Sequence, residues 1–261
     1  MRIVTLNTWK NEGEYERRLD LMAVGLGDLR ADVVCLQECF VGGGSDTAAR
    51  LAAALGMRAY PAPARRKLRA HGGRRVMSTS GLAVLTRERV TGFDLCALDS
   101  APGDGQRIAQ RVDVDRAGAS LRILNLHLTH LGGPVAERVR AVQLETALDW
   151  AVAGYQGGLV VAGDLNATAS DAALAPLALS PTSPTFHGAR AGATQTGGMA
   201  IDHCVLWREG QWSRSATGRA LDRPSADGWF PSDHAAVVLD LTHQDRGAPG
   251  ARSDPDSTAR A

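Results

Sequence analysis

Eight apolar runs of strand length punctuate the chain, at residues 2–7, 32–38, 81–86, 110–115, 121–128, 158–164, 201–207 and 235–241. Runs this short, bounded by turn residues, read as strands rather than helices. Several have no polar face: Leu121, Ile123, Leu124, Leu126 and Leu128 leave little for water to contact. A sheet built from such strands must be covered on both sides. Two helical patterns can supply part of that cover. Tyr15, Leu19, Met22, Leu26 and Leu29 follow 4-3-4-3 spacing, which is one face of a helix. Ala141, Leu144, Leu148 and Val152 form a second stripe downstream of Pro134, a residue suited to a first helical turn. Two sheets packed face to face with helices outside satisfy both kinds of element.

The chain has 261 residues, 44% of them hydrophobic, enough for a substantial core. Residues 1–243 read as a single α/β domain. From Gln244 to Ala261 large apolar residues almost vanish and three Arg cancel three Asp, so residues 244–261 are expected to be a disordered tail. Lys+Arg number 29 against 28 Asp+Glu, which excludes a uniformly basic nucleic-acid binder. Only Lys10 and Lys67 are lysines. The Arg excess reflects either coding bias or phosphate recognition, since guanidinium matches phosphate geometry. Cys35, Cys39, Cys96 and Cys204 form no CxxC pair and are expected to be free thiols in a reducing compartment, the cytoplasm. No leader is expected, because the chain enters a strand at once. No run of about 18 apolar residues offers a membrane span.

The polar residues sit at strand ends. Asn7 closes the first run, Gln37-Glu38 the second, and Asn125 and His127 fall late in the run from Leu121. Asp164-Leu165-Asn166 follows the run from Leu159, Asp202-His203 follows Ile201, and Ser232-Asp233-His234 precedes the last run. One such residue is ordinarily a cap or turn. Six on one rim can hold a divalent cation and a phosphate together.

Leu6-Asn7-Thr8-Trp9, Leu36-Gln37-Glu38, Asn125-Leu126-His127-Leu128, Gly163-Asp164-Leu165-Asn166, Ile201-Asp202-His203 and Ser232-Asp233-His234 together resemble the endonuclease/exonuclease/phosphatase (DNase I-like) superfamily, in its order, from residue 2 to about 241. Gly81-Leu82-Ala83-Val84-Leu85 resembles its Gly-led strand, and Arg140 with Gln143 its Arg-x-x-Gln. The resemblance implies a four-layer α/β/β/α sandwich of two mixed sheets flanked by helices. It also implies Mg²⁺-dependent hydrolysis of phosphate esters, with Mn²⁺ as a substitute.

On that resemblance, Asn7 and Glu38 are the expected metal ligands, hard oxygen donors that suit Mg²⁺. Asp233 either ligates the metal or orients an imidazole. Asp164 orients or deprotonates the attacking water, and Asn166 donates to a phosphate oxygen. His234 is the general base or phosphate-binding histidine. His127 donates to the phosphate or assists the leaving group, and Asp202 orients His127 or approaches the metal. His203, adjacent to Asp202 in a strand, points to the opposite face and is read as a core or supporting histidine. His130 is read as surface or loop, and the spacing of His127 and His130 argues against a zinc site.

Residues 65 to 75 carry Arg65, Arg66, Lys67, Arg69, Arg74 and Arg75 and no acid. They form either a solvated loop or a mobile grip on a polyanion, with Arg74 and Arg75 as substrate contacts. Trp229 and Phe230 are read as core in preference to base-stacking residues. The expected activity is that of a nuclease, a phosphodiesterase on nucleic acid, in a monomer. The same site could serve a small or lipid-linked phosphate of inositol phosphate or sphingomyelin type. The Asp202-His203 pair departs from the Asp-Tyr of DNA-repair relatives, which argues against abasic-site repair. A non-catalytic binding module on the same fold would not need the metal and histidine set.

Overall fold

A computed structural model describes residues 1–178 and 198–244. In chain order the elements are β1 (Arg2–Asn7), α1 (Tyr15–Leu29), β2 (Val33–Gly42), β3 (Ser45–Asp46), α2 (Thr47–Leu55), β4 (Arg58–Ala62), β5 (Lys67–His71), β6 (Arg74–Thr86), β7 (Arg89–Leu98), β8 (Arg107–Arg116), β9 (Ala119–His127), α3 (Pro134–Val152), β10 (Gly158–Asp164), α4 (Ala175–Ala178), β11 (Asp202–Arg208), β12 (Trp212–Ala220) and β13 (Ala236–His243). All eight predicted runs are strands. The expected tail lies outside the described residues apart from Gln244.

The strands form two mixed sheets. The first runs β12-β13-β1-β2-β6-β4, with β3 on β2 and β5 on β6; the second runs β11-β10-β9-β8-β7. Three apolar layers stack them into the α/β/β/α sandwich. Leu19, Met22 and Leu26 of α1 and Leu51 of α2 cover Val4, Leu6, Val34 and Leu85 on the outer face of the first sheet. Ile3, Val33, Val84, Val112, Ile123, Val160 and Val237 meet between the sheets. Leu144 and Leu148 of α3 cover Leu124, Leu126, Val161 and Val205 on the outer face of the second. The strands with two apolar faces are therefore covered on both sides, as their sequences require.

Between the sheets lies one buried polar network. Gln37 Nε2 donates to Asn125 Oδ1 at 2.7 Å and to Thr5 Oγ1 at 2.9 Å. Asn125 Nδ2 donates to Gln110 Oε1 at 3.0 Å and to the carbonyls of Leu36 and Ala83 at 3.1 Å. Buried amides are ordinarily hydrogen-bonded; here both ends of the Asn125 amide are, whereas Gln37 bonds through its Nε2 and its Oε1 has no partner. Gln37 and Asn125 thus belong to the interior and not to the rim where the sequence pattern placed them.

Strands β3, β4, β5, β7 and β12 carry no clean apolar period. Strands β7 and β12 are mostly exposed, and β4 contains Pro61. The basic run expected as a loop is instead an antiparallel hairpin, with His71 opposite Arg74 across Gly72-Gly73. Its inward guanidinium, Arg69, donates to Ser78 Oγ at 2.8 Å and Ser80 Oγ at 2.7 Å, bonds that this register brings within reach. Among the described residues, no helix is long and apolar enough to cross a membrane.

Candidate active site

Each sheet contains one parallel pair joined through a helix: β1 with β2 through α1, and β9 with β10 through α3. Parallel pairs put the carboxyl ends of both strands on one side, where ligands collect in α/β sheets. Asn7 ends β1, and Glu38 stands where β2 bulges. The pairing of β2 with β6 steps from Leu36–Ala83 to Cys39–Gly81, so Gln37 and Glu38 together face Leu82. Glu38 takes φ 56° at this bulge. In the second sheet, His127, Asp164 and Asp202 form one row across β9, β10 and β11. Gly163, just before Asp164, has φ 142°, and a Cβ there would lie 1.9 Å from the Leu126 carbonyl oxygen. Only glycine lets β10 approach β9 so closely.

Asp164 stands at the junction of the two sheets. Its Oδ2 accepts from Asn7 Nδ2 at 2.9 Å and lies 3.7 Å from His127 Nε2 and 4.0 Å from His234 Nε2. Its Oδ1 accepts from the Asn166 backbone N–H at 3.0 Å. His234 Nδ1 is 2.7 Å from Asp202 Oδ2, and its Nε2 is 4.0 Å from Asp233 Oδ1. Ser232 Oγ donates to the Asn7 carbonyl at 2.6 Å, tying the loop before β13 to the end of β1. Glu38 Oε1 lies 3.0 Å from Lys10 Nζ.

The supporting loops are held by buried cations. Arg18, 1% exposed, donates to the carbonyls of Thr8, Trp9, Lys10, Glu12 and Pro231. Its guanidinium also lies 4.8 Å from the Trp9 ring centroid. These bonds fix Trp9 and Lys10 in left-handed conformations, φ 54° and 43°, which cost energy for non-glycine residues. Arg140 Nη1 donates to Thr129 O and Leu131 O at 3.1 and 2.8 Å, and Gln143 Oε1 accepts from Thr129 N at 3.0 Å. The Arg-x-x-Gln of α3 therefore pins the loop after His127.

The two histidines titrate in opposite directions. Burial lowers the pKa of His127 well below the ordinary imidazole range, and the positive charges of Arg107, Arg65 and Lys10 lower it further. Burial opposes protonation of His234 too, but Asp202, Asp164 and Asp233 outweigh it and raise its pKa to about 10. Burial, and next the charge of Asp202, push Asp164 up to about 7. Asp233 is raised by burial, with Glu38 contributing.

Asn7, Glu38, His127, Asp164, Asp202, Asp233 and His234 thus come together, with Asn166 beside them. Asp164, Asp202 and His234 form a buried cluster whose ligand atoms lie within 4.8 Å of one another, close enough to hold a metal. Two expectations, on the partner of Asp202 and on Trp229 with Phe230, need correction. Asp202 holds His234, not His127, because β11 lies at the edge of its sheet next to the loop that carries His234. Arg74 and Arg75 open β6 directly after the hairpin turn, and the cations acting on His127 are Arg107, Arg65 and Lys10. Trp229 and Phe230 are 38% and 40% exposed rather than core, and Arg17 lies 5.3 Å from the Trp229 ring centroid. Asn166 adopts φ 49°, and its Nδ2 donates to Leu128 O at 3.1 Å. His203 is buried, with Nε2 2.8 Å from Ala167 O. His130 is half exposed beside Arg107.

Sequence reasoning passed over Lys10, Arg18, Asp104 and Arg107. The one signal available was that Lys10 is one of two lysines in the chain. The buried arginines share a residue type with more than twenty exposed or paired ones, so type alone cannot select them.

The sequence model described as the Endonuclease/Exonuclease/phosphatase family matches residues 4–234. No curated relative matches the sequence. Solved structures of similar fold include an endonuclease/exonuclease/phosphatase from Beutenbergia cavernae, with TM-score 0.73 and 21% identity, covering 94% of this chain and 72% of that one. The human Nocturnin catalytic domain with bound sulfate anion matches with TM-score 0.72 and 21% identity, covering 94% of each chain. A humanized D. rerio TDP2 matches with TM-score 0.70 and 15% identity, covering 93% of this chain and 98% of that one.

Proposed function

Because the chain belongs to the endonuclease/exonuclease/phosphatase family, we propose that it is a divalent-metal-dependent phosphodiesterase that hydrolyses nucleic acid. The observation that carries this reading is the position of Asp164. It is a buried carboxyl with pKa about 7, between two histidines of opposite protonation, at the meeting point of both sheets. A pKa near the working pH suits a general base.

The residues divide the work. Asp164 takes a proton from the attacking water as the oxygen–phosphorus bond forms. Protonated His234, anchored by Asp202, sets its positive charge against the phosphoryl oxygens. Neutral His127 directs a ring N–H toward the leaving oxygen as its bond to phosphorus breaks. Asn7 aligns Asp164 through its amide. The preorganisation of such charges in a dry site is worth more than the same charges in water.

Glu38, Asp233 and Asn7 offer hard oxygen donors for Mg²⁺ or Mn²⁺. That donor set fits a divalent cation: Glu38 and Asp233 are both acids, and the charge of Glu38 adds to burial in raising Asp233. Those residues would hold the cation, which when bound would supply neutralisation of the charge developing on the phosphoryl oxygens. The sulfate carried by the Nocturnin structure shows a tetrahedral oxyanion bound on a similar fold, which supports a phosphate-ester substrate.

The test is hydrolysis of bis-p-nitrophenyl phosphate by the purified protein. Turnover is expected with Mg²⁺ or Mn²⁺ and is abolished by EDTA. No turnover with any divalent ion would overturn the reading.

A further inference from the structure

Beside His127 the structure has a second concavity that the chemistry above does not use. A pocket of about 430 Å³ is lined by Arg65, Arg66 and Lys67 on one side and by Asp104, Gly105 and Gln106 on the other. A narrow cleft that includes His127 shares Arg65 and Gln106 with it, so the pocket adjoins the candidate active site.

The pocket is built rather than incidental. Arg65 adopts φ 51°, a conformation that non-glycine residues hold only where the surroundings impose it. Here Arg69 Nη2 donates to the Arg65 carbonyl at 3.1 Å, and Ser80 N donates to the Ala64 carbonyl at 2.9 Å. The Arg65 side chain lies over Gly105, where a Cβ would fall 2.5 Å from Arg65 Nε. A bare backbone is therefore needed for this guanidinium to lie as it does.

The charge balance inside the pocket is one-sided. Its acid, Asp104, is held by Arg107, whose Nε and Nη2 donate to it at 2.8 and 2.9 Å. Arg65 reaches Asp104 only at 3.7 Å. Lys67 is pushed below its ordinary pKa by burial and by Arg69, Arg65 and Lys10. Arg65 is pushed down by burial and by Arg107. Positive charges crowded together with one neutralised acid favour an anion among them.

We propose that this pocket is an anion subsite that holds a second phosphate of the substrate molecule, next to the scissile one. The proposal rests on the phosphodiesterase reading, and it names a substrate class: phosphodiesters that carry a further phosphate. Guanidinium groups suit that ligand because they match phosphate oxygens bidentately.

The test uses the whole chain and the double variant Arg66→Gln/Lys67→Gln, both residues being exposed, so folding is not at stake. Thymidine 5′-(p-nitrophenyl phosphate) is compared with the same ester carrying a 3′-phosphate. The wild type is expected to prefer the phosphate-bearing ester in kcat/KM, and the variant to lose that preference ten- to a hundredfold. In parallel, pyrophosphate binding is measured calorimetrically in EDTA, where no turnover intervenes, and should weaken at least tenfold in the variant. Oligothymidylate displacing pyrophosphate better than inositol hexakisphosphate would support a nucleic-acid strand as the source of the second phosphate. The reverse order would support a small polyphosphate.

An unchanged preference together with unchanged pyrophosphate binding would overturn the subsite and leave the phosphodiesterase reading standing. Variant-sensitive pyrophosphate binding without turnover of either ester would support the subsite and overturn that reading.

Discussion

The two parallel strand pairs of the molecule solve the same problem differently. In the first sheet, β1 and β2 deliver Asn7 and Glu38, and Glu38 reaches the rim through a bulge at φ 56° with Lys10 Nζ 3.0 Å away. In the second sheet, β9 and β10 deliver His127 and Asp164 without a bulge, in register with each other and with Asp202. There the glycine before Asp164 replaces the bulge by closing the strands together. The result is an unequal pair of carboxylates. Glu38 has a cation at hand, whereas Asp164 is buried with a pKa of about 7. On the proposed function, one sheet supplies oxygen donors for the cation and the other the titratable base.

The sharpest way to break this comparison is to neutralise each acid in turn. Asp164→Asn should lower kcat on bis-p-nitrophenyl phosphate by about 10³ to 10⁴, within the range of general-base catalysis, and raising Mg²⁺ should not restore it. Glu38→Gln should shift the Mg²⁺ requirement upward by roughly 10- to 100-fold, with partial recovery at high metal. If the two variants respond alike to metal, the division between the sheets is wrong.

Asp202→Asn should come next, at about 10² in kcat, since it leaves His234 without its anchor. The sign of its pH effect is fixed. The charge of Asp202 raises both Asp164 and His234, so its removal lowers both. The acid limb of the rate profile, near pH 7 from Asp164, should move to lower pH, and the His234 ring should titrate below pH 10 in nuclear magnetic resonance of the metal-free protein. A limb that stays in place would exclude Asp164 as its source.

Asn125→Leu tests what joins the sheets. It removes one of the acceptors of Gln37 Nε2 and the donor to Gln110 Oε1 in the core, and about 3 kcal/mol of stability should be lost in urea denaturation. A loss below about 1 kcal/mol would show that water or repacking satisfies them.

The smallest effect concerns Asp104 at the mouth of the basic pocket. Burial disfavours its charge, but the hydrogen bonds from Arg107 prevail and hold its pKa at about 2, below the ordinary 3.8. A depressed carboxyl contributes stability above its unfolded pKa and loses it as pH falls through the folded value. Roughly 2 kcal/mol should therefore disappear between about pH 4 and pH 2. Asp104→Asn should flatten that part of the acid-unfolding curve. An unchanged curve would mean that the Arg107 pair contributes nothing net.

Much of this architecture was legible in the sequence. Apolar runs without a polar face dictated covered sheets. The stripe Tyr15, Leu19, Met22 and Leu26 became the inward face of α1, and polar residues at strand ends marked one rim. The edge strands β7 and β12 were not legible, because a strand exposed on one or both faces needs no apolar period. The hairpin of β5 and β6 was hidden because Arg69 reaches Ser78 and Ser80 only across the paired strands, a contact no local pattern announces.

Sequence by itself determined which residues end the strands and which strands must be buried, since both follow from side-chain alternation and the cost of leaving apolar surface in water. Only the tertiary structure decided who meets whom. Alternation places a side chain on a face but does not say which strand will face it. Hence Asn125 and Gln37 turned into the interior, Asp202 took His234 rather than His127, and Arg65 rather than Arg74 or Arg75 came to stand beside His127. Each of these partnerships joins segments far apart in the chain, and their energies depend on sheet order and on burial that exists only once both sheets have closed.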